Sequence, residues 1–250
     1  MRLTYIYHSG FAIEAPNYTI IIDYFEDSLG KDKGVVNDRI LYRSTQKLYV
    51  LCSHGHSDHF NPDVLKWKDI RSDITYIFSK DIQASSGAGM KMKDVIFIDK
   101  DEVFQDDMIK VTAYGSTDLG ISFKIEGGGR TIFHAGDLNN WHWNEESTDE
   151  EIVEAEDFYK RELDHVAATT PHLDAAMFPV DPRLGSDYMM GAEQFLEKIP
   201  TRLFVPMHFG TEYEKAKAIE GFAKKMNTKV YIPTRRGEVL ENLEEAIDKN

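Results

Sequence analysis

Three histidines and one aspartate lie within residues 54–59, a run of the form H-x-H-x-D-H. Histidine is the commonest metal ligand among side chains, because a neutral ring nitrogen binds zinc, iron or manganese at physiological pH. In an extended backbone, side chains two residues apart point the same way, so His54 and His56 can face one ion. A turn at the intervening serine then directs Asp58 and His59 to a second position nearby. The alternative is a chance cluster of surface histidines, but the spacing favours a metal site.

The charge balance restricts the partners of such a site. The chain has 250 residues, 42% of them hydrophobic, with 29 Lys and Arg against 43 Asp and Glu, which gives a net charge of −14. This acidity argues against a nucleic-acid partner, since affinity for a phosphate backbone comes mainly from clustered lysine and arginine. A metal centre supplies its own local positive charge, so a small anionic substrate is still compatible. We therefore expect a small-molecule substrate and no nucleic acid.

The cysteine content and the distribution of apolar residues indicate the cellular location of the protein. Cys52 is the single cysteine, so no intrachain disulfide can form. Met1–Tyr7 lacks the layout of a signal peptide, and no apolar run approaches the length of a transmembrane helix. We expect a cytoplasmic protein without a membrane partner. Homo-oligomerisation is left open.

The elements that must position these residues are mostly strands. Runs of β-branched and aromatic residues, broken by Gly, Asn or Pro, are typical of sheet. The predicted strands are Leu3–Tyr7, Phe11–Glu14, Tyr18–Tyr24, Leu48–Cys52, Ile74–Phe78, Val95–Ile98, Met108–Tyr114, Ile121–Glu126, Thr131–His134, Asp174–Pro179, Leu203–Val205, Lys229–Ile232 and Glu238–Leu240.

Helices are predicted over residues 148–168, near Gly191–Lys198 and over Glu212–Met226. Residues 127–130, three glycines and an arginine, predict a hairpin turn. Strands dominate the first half and alternate with helices, which favours a mixed α/β fold of two central sheets with helices outside. We predict a single domain over residues 1–250. A duplication of two strand-rich halves is left open, because no periodicity shows it.

Three segments that follow predicted strands resemble the metal-binding motifs of the metallo-β-lactamase superfamily. They are Ser53–His59, Phe133–Asp137 and Val205–Gly210. The resemblance covers nearly the whole chain and implies an αββα sandwich with a metal site at one edge of the sheets. It also implies a helix after the first motif, which Asn61 would cap with Pro62 in its first turn.

Weaker marks are similar to one branch of that superfamily, which includes L-ascorbate-6-phosphate lactonase and the N-acylphosphatidylethanolamine phospholipase D. These marks are His8–Phe11, the histidine at position 134, and Met190-Gly191 ahead of a helix. The marks do not determine the substrate.

The resemblance implies a ligand set, position by position. His54 and His56 would bind a first ion, while Asp58, His59 and His208 would bind a second. Asp137 would bridge the two ions.

One expected ligand is missing. The family usually supplies a third histidine to the first ion from the loop after the strand Met108–Tyr114, but residues 115–118 here read Gly-Ser-Thr-Asp. A catalytic zinc site typically has three protein ligands, so the first site is expected to be labile and the second fully occupied. Asp118 is a candidate substitute, and so are His134 and His142. Zinc is the ion the family implies, for one or two ions per chain, but oxygen ligation by Asp118 favours manganese or iron.

Other residues are candidates for contact with substrate. The resemblance places His8 near the active site, as a substrate contact or a support for the ligands. Trp141 and Trp143 flank His142 and are candidates for a pocket wall, or else anchor the neighbouring helix. Arg183 could bind a substrate carboxylate or phosphate, with a surface ion pair as the alternative.

The expected function is that of a metal-dependent hydrolase acting on a small anionic metabolite such as a phosphorylated sugar lactone. Two divalent ions can hold a hydroxide as the nucleophile near neutral pH, and the resemblance implies that Asp58 orients it. Two alternatives are a phosphodiesterase of the ribonuclease Z type and a metal-binding protein whose catalysis was lost with the missing histidine. The −14 charge counts against the first alternative.

Overall fold

A computed structural model describes residues 1–31, 33–43, 46–85 and 92–249, and its framework is a pair of seven-stranded sheets. The first sheet consists of β1 (Arg2–Tyr7), β2 (Gly10–Glu14), β3 (Tyr18–Ile22), β4 (Lys47–Cys52), β5 (Ile74–Ser79), β6 (Val95–Ile98) and β14 (Glu238–Leu240). The second consists of β7 (Val103–Gln105), β8 (Ile109–Gly115), β9 (Ile121–Gly127), β10 (Arg130–His134), β11 (Leu173–Pro179), β12 (Thr201–Met207) and β13 (Lys229–Val230). The mixed α/β sandwich expected from the sequence is confirmed.

Both sheets follow the same order of strand pairings. Across the first sheet, from β14 through β1 to β6, three antiparallel pairs are followed by three parallel pairs. Across the second sheet, from β7 to β13, the same order recurs. The turn between β1 and β2 therefore corresponds to the turn between β8 and β9. The two sheets therefore share one architecture, a structural repeat that no periodicity of the sequence shows.

The strands form where predicted because alternate residues meet two different apolar environments. In β4, Tyr49 and Leu51 point into the core between the sheets, whereas Leu48, Val50 and Cys52 point into a second core on the outer face. This period of two is what the side-chain geometry of a strand requires. The ends of the predicted strands agree with the structure to within two residues. Strand β7 was not predicted, since three residues are too few to show a pattern.

Helices cover the outer faces. They are α1 (Leu41–Arg43), α2 (Lys80–Ser85), α3 (Asp149–Ala168), α4 (Met190–Lys198), α5 (Tyr213–Ala216), α6 (Glu220–Lys225) and α7 (Leu243–Asp248). A π-helical turn spans Val36–Ile40, and 3₁₀ turns span Pro62–Asp69, Pro182–Asp187 and Lys217–Ile219. The longest helix, α3, begins after Thr148, whose side chain and that of Glu151 form a capping box. No helix among the described residues is long and apolar enough to cross a bilayer.

Two helix predictions need correction. The segment Glu212–Met226 is not one helix but α5, a 3₁₀ turn and α6 in succession. The tighter turn keeps both Ala216 and Ile219 buried, and Gly221 weakens the helical preference beyond it. After the first motif, Asn61 does accept a hydrogen bond from the backbone of residue 63, but the helix it caps is of the 3₁₀ type.

Candidate metal centre

The predicted site residues gather at one edge of the sandwich, on loops from both sheets. The first sheet contributes His8 from the β1–β2 turn and residues 54–59 from the loop after β4. The second sheet contributes Asp118 from the β8–β9 turn, Asp137 after β10 and His208 after β12. The strands thus deliver ligands from two sheets to one point, and these form two clusters.

Site A consists of His54, His56, Asp118 and Asp137, whose ligand atoms lie within 4.8 Å of one another. His54 Nε2 is 3.3 Å from Asp137 Oδ2, and His56 Nδ1 is 3.4 Å from Asp118 Oδ2. His54 is buried, whereas the side chains of His56 and Asp118 are each 48% exposed. Site A is therefore open to solvent on one side, and Asp118 stands in the loop that lacks a histidine.

Site B consists of His8, Asp58, His59 and His208. Asp58 Oδ2 is 3.4 Å from His8 Nε2 and 3.9 Å from His208 Nε2. Its close contact with His8 is the main reason that the pKa of Asp58 lies far below its usual range. Burial, only partly opposed by Asp58, lowers the pKa of His8 to about 4, which leaves a neutral ring at physiological pH.

Asp137 lies between the two sites. Its Oδ2 faces His54, while its Oδ1 is 3.1 Å from His59 Nε2 and 3.4 Å from His208 Nε2. Burial opposes ionisation of Asp137, but the charges of His59 and His208 outweigh it and hold its pKa well below the usual range. One carboxylate in this position can serve as a bridge between two ions.

The unpaired polar atoms of the centre show that its residues fit metal ions. Buried polar atoms almost always have a hydrogen-bond partner. Among the described residues, atoms without one include His8 Nε2, His54 Nε2, His59 Nε2, His208 Nε2 and Asp137 Oδ1. Atoms that bind one ion through bonds of about 2.0–2.2 Å lie roughly 3–4 Å apart, and the separations in both sites are of this size. Each site can therefore hold a divalent cation.

Carboxylates outside the centre orient two of the histidines. His59 Nδ1 is 2.8 Å from Asp23 Oδ2, and His208 Nδ1 is 2.9 Å from Asp181 Oδ2. A carboxylate on Nδ1 fixes the tautomer and leaves Nε2 free to bind metal. Asp181 was not predicted from the sequence, although its position two residues after the end of β11 was a usable signal.

Asp23 also fixes the loop after β4. It accepts hydrogen bonds from the backbone nitrogen of Ser53 at 2.7 Å and from Ser53 Oγ at 2.6 Å. Ser53 Oγ in turn lies 3.0 Å from His54 Nδ1. One buried carboxylate therefore supports the ligand loops of both sites.

The loop that carries Asp118 is held on two sides. Thr117 Oγ1 donates to Asn139 O at 2.6 Å and accepts from Asn139 N at 2.9 Å. On the other side, Gly120 has φ +71°, and a Cβ there would lie 2.1 Å from Ser53 O. Only glycine fits so close an approach in this conformation, so the packing itself fixes Asp118 near His56.

Two predicted substitute ligands do not face either site. His134 Nε2 is 2.8 Å from Ser9 O, and its Nδ1 accepts from Gly136 N at 3.1 Å. His142 lies 3.3 Å from Asp187 O and accepts from the backbone of residue 144. Both rings have each of their nitrogens engaged, so neither compensates for the missing histidine. Their role is to hold loops behind the centre.

A cavity of about 290 Å³ opens over site A and reaches site B. Trp141 and Trp143 stack with their rings 6.2 Å apart and form one wall, and Trp141 Nε1 donates to Asp137 O at 2.8 Å. Arg183 lies on the rim, ion-paired with Asp181 but 62% exposed. Trp141, Trp143 and Arg183 thus all line the cavity. Arg183 also forms an ion pair, the alternative considered for it from the sequence.

A second cavity, of about 340 Å³, lies on the other side of Arg183 and His208. Its lining includes the apolar rings of Tyr7, Phe25 and Phe209. The two cavities meet at the metal centre, so a substrate can extend to either side of it.

Comparison with known proteins agrees with this geometry. A family model described as "Beta-lactamase superfamily domain" matches residues 2–155. No protein of curated function matches the sequence.

Solved structures share the fold at low sequence identity. Igni18, a metallo hydrolase from the archaeon Ignicoccus hospitalis, superposes with a TM-score of 0.65 at 18% identity, over 96% of this chain and 97% of its own. CmlA, a diiron β-hydroxylase from Streptomyces venezuelae, has a TM-score of 0.65 at 16% identity, over 96% of this chain and 53% of its own. An isothiocyanate hydrolase from Delia radicum gut bacteria has a TM-score of 0.58 at 16% identity, over 97% of this chain and 99% of its own.

Proposed function

The chain belongs to the β-lactamase superfamily, and on that basis we propose that it is a metal-dependent hydrolase of a small anionic substrate. The observation that carries the proposal is the convergence of unpaired, buried ligand atoms on two adjoining sites. Divalent ions held there supply a Lewis acid, which makes water nucleophilic near neutral pH and polarises a carbonyl or phosphoryl oxygen.

The residues around the centre support a small anionic substrate. Arg183 is the one lysine or arginine among the described residues that line the cavity over site A, and its planar guanidinium suits a carboxylate or phosphate. Trp141 and Trp143 offer a flat apolar wall beside it and shield one side of the centre from water. A phosphorylated lactone or ester meets both features. A ribonuclease would require a broader basic surface than one arginine provides.

The ligand set supports an oxygen-preferring ion at site A. Two histidines and two carboxylates surround it, where the family's usual arrangement has a third histidine. Carboxylate ligands suit manganese or iron better than zinc. CmlA, which shares the fold, is a diiron protein, and this supports including iron among the ions tested. We propose manganese or iron at site A, with zinc as the alternative.

The complete ligand sets also count against a decayed enzyme. Asp118 belongs to the residue cluster of site A and Asp58 to that of site B, so each cluster has four donors.

The experiment is hydrolysis of a panel of lactones, thioesters and phosphodiesters by protein loaded in turn with zinc, manganese and iron(II). We expect turnover of at least one anionic ester or lactone, and loss of about 10²-fold or more in kcat for Asp58→Ala. Asp63→Ala is the matched control, because Asp63 is a partly exposed aspartate close in sequence whose side chain forms a salt bridge with Lys66, away from the metal centre. Full activity of metal-loaded Asp58→Ala would contradict the proposal.

Arg183 gives a second measurement. Arg183→Ala should raise KM about tenfold for an anionic ester and leave KM for a neutral ester of the same size unchanged. Equal effects on both esters would show that Arg183 acts only through its ion pair with Asp181.

A further inference from the structure

We propose that His8 is a ligand of the ion at site B, which makes site B the closed, resident site and site A the exchangeable one. The inference rests on the proposed function only in requiring that the centre binds metal. It reassigns a residue that the sequence suggested as a substrate contact or a support.

The internal repeat of the fold provides the first argument. His8 lies in the β1–β2 turn, and Asp118 lies in the corresponding β8–β9 turn of the other sheet. Each turn delivers one side chain to the centre, Asp118 to site A and His8 to site B. The histidine absent from the turn of the second sheet thus has a counterpart in the turn of the first.

The geometry of site B provides the second argument. His8 Nε2 is buried and has no hydrogen-bond partner among the described residues. Its ring centroid lies 4.1 Å from that of His208 and 6.0 Å from that of His59. One of its ring nitrogens lies within 4.8 Å of a ligand atom of each of His59, His208 and Asp58. An imidazole that only supported another residue would have its nitrogens paired, as His134 does.

The backbone holds His8 in an uncommon conformation. Its φ is +56°, a region that non-glycine residues seldom occupy and that recurs at functional sites. Its backbone nitrogen donates to Tyr5 Oη at 3.0 Å, and its carbonyl accepts from His208 N at 3.2 Å. The second of these bonds ties His8 directly to another ligand of site B, so the two rings are positioned together.

The assignment makes the two sites unequal. Site B then has three histidines, Asp58 and Asp137, a set of five protein donors that can fill the coordination of its ion even though the Asp58 side chain is 43% exposed. Site A has two histidines and two carboxylates, and half of its ligands are exposed. Closed ligand sets are typical of structural ions, and open ones of catalytic ions. The ion at site A is therefore expected to exchange with the medium while the ion at site B stays.

The test is a cobalt(II) titration of the metal-free protein against a competing chelator, read by the visible absorption of bound cobalt. Wild type should show two binding steps of different affinity. His8→Asn should weaken the tighter step by about tenfold or more and change its spectrum, while leaving the weaker step in place. Asparagine is chosen because it tolerates the left-handed backbone at this position.

Two further variants make the result specific. His56→Asn should remove the weaker step and leave the tighter one. His8→Glu, whose carboxylate has a similar reach, should recover part of the lost affinity, and it keeps the test decisive if His8→Asn folds poorly by circular dichroism. His165→Asn, on the surface of α3, is the control for loss of an unrelated histidine.

The outcomes separate this inference from the proposed function. An unchanged tighter step and spectrum in both His8 variants would overturn the ligand assignment, whatever the activity. Two metal steps without hydrolysis of any substrate would overturn the proposed function and leave the assignment of His8 standing.

Discussion

Asp118 is the proposed ligand that distinguishes the open site, because its carboxylate would supply an oxygen where a third imidazole would give a nitrogen. Its carboxylate is 3.4 Å from His56 Nδ1, and its loop is fixed by Thr117 and Gly120. A substitution at this one position should therefore change the preferred ion without moving the loop.

We predict that Asp118→His shifts site A towards zinc. A third imidazole produces the nitrogen-rich set that zinc favours, so the ratio of zinc to manganese bound at site A should rise about tenfold. Metal content after loading from an equimolar mixture measures the change. Asp118→Ala is the control and should lose metal from site A alone. An unchanged metal ratio in Asp118→His would mean that residue 118 is not a ligand.

Among single residues, the sequence identified the candidate ligands that lie close together in the chain. His54, His56, Asp58 and His59 follow from their spacing, because one strand and one turn are enough to bring them together. His8 and Asp181 were placed less well, since the identity of a side chain's partner depends on loops that are distant in sequence. The suggested roles for His134 and His142 were wrong for the same reason, as each ring is paired with a backbone group that no motif reveals.

At the scale of elements, the β8–β9 turn depends on Gly120. We predict that Gly120→Ala destabilises the fold by about 1–3 kcal/mol and weakens metal binding at site A, because a Cβ would collide with Ser53 O and displace the turn. Chemical denaturation and metal titration measure the two effects.

Gly129→Ala is the matched control. Gly129 also has a positive φ, but a Cβ there would meet no atom within 4 Å. In Gly129→Ala, backbone strain should lower the free energy of unfolding, but metal affinity should be unchanged. Equal losses of metal affinity in both variants would show that strain alone, and not the contact with Ser53, is responsible.

Asp106, in the β7–β8 turn, connects this turn to β4 in the other sheet. Its Oδ2 lies 2.6 Å from both Lys47 Nζ and Tyr49 Oη. Burial raises the pKa of Asp106, but these two partners outweigh it and hold the pKa well below its usual range. A depressed carboxyl pKa stabilises the fold above the unfolded value of about 4 and loses that effect as pH falls towards the folded value.

Asp106→Asn should therefore lower the free energy of unfolding by about 1 kcal/mol at pH 7 and have a smaller effect below pH 4. Urea denaturation across this range measures it. Asp107→Asn, next in sequence and exposed, should have no effect at either pH. If Asp106→Asn lowered the free energy of unfolding equally at all pH values, the stabilisation would come from packing and not from the charge of Asp106.

Strands were more predictable than helices in this chain. The two cores impose a strict alternation on residues such as Tyr49 and Val50, and alternation is visible in the sequence itself. The segment Glu212–Met226 has helical composition apart from Gly221, but the surface that it covers divides it into short pieces. The first break precedes Gly221, so it comes from tertiary packing and not from local propensity.

At the scale of the whole molecule, the metal centre connects the two sheets. Site A takes histidines from the first sheet and carboxylates from the second, and site B combines His8, Asp58 and His59 of the first with His208 of the second. Bound ions therefore act as cross-links at an edge where the described protein atoms alone leave several buried groups unpaired.

We predict that removal of metal lowers the thermal stability of the entire fold. A ligand present at a thousand times its dissociation constant stabilises a protein by about 4 kcal/mol, which for a chain of this size is a shift of about 10 °C in Tm. Calorimetry with and without a chelator measures the shift. The double variant His8→Asn, His56→Asn should show a smaller response to the chelator than the wild type. A Tm that is independent of metal in the wild type would contradict the cross-link.

The order of strands in the first sheet has a consequence for when the protein matures during synthesis. Strand β1, which leads into His8, has β14 as its outer neighbour, with Leu3 opposite Leu240. A ribosome releases β1 long before its neighbour, because the paired residues Leu3 and Leu240 lie 237 positions apart in the chain. Stable metal binding is therefore expected only after β14 has been synthesised. The histidines emerge from the ribosome earlier, when the sheet that positions His8 still lacks β14 beside β1.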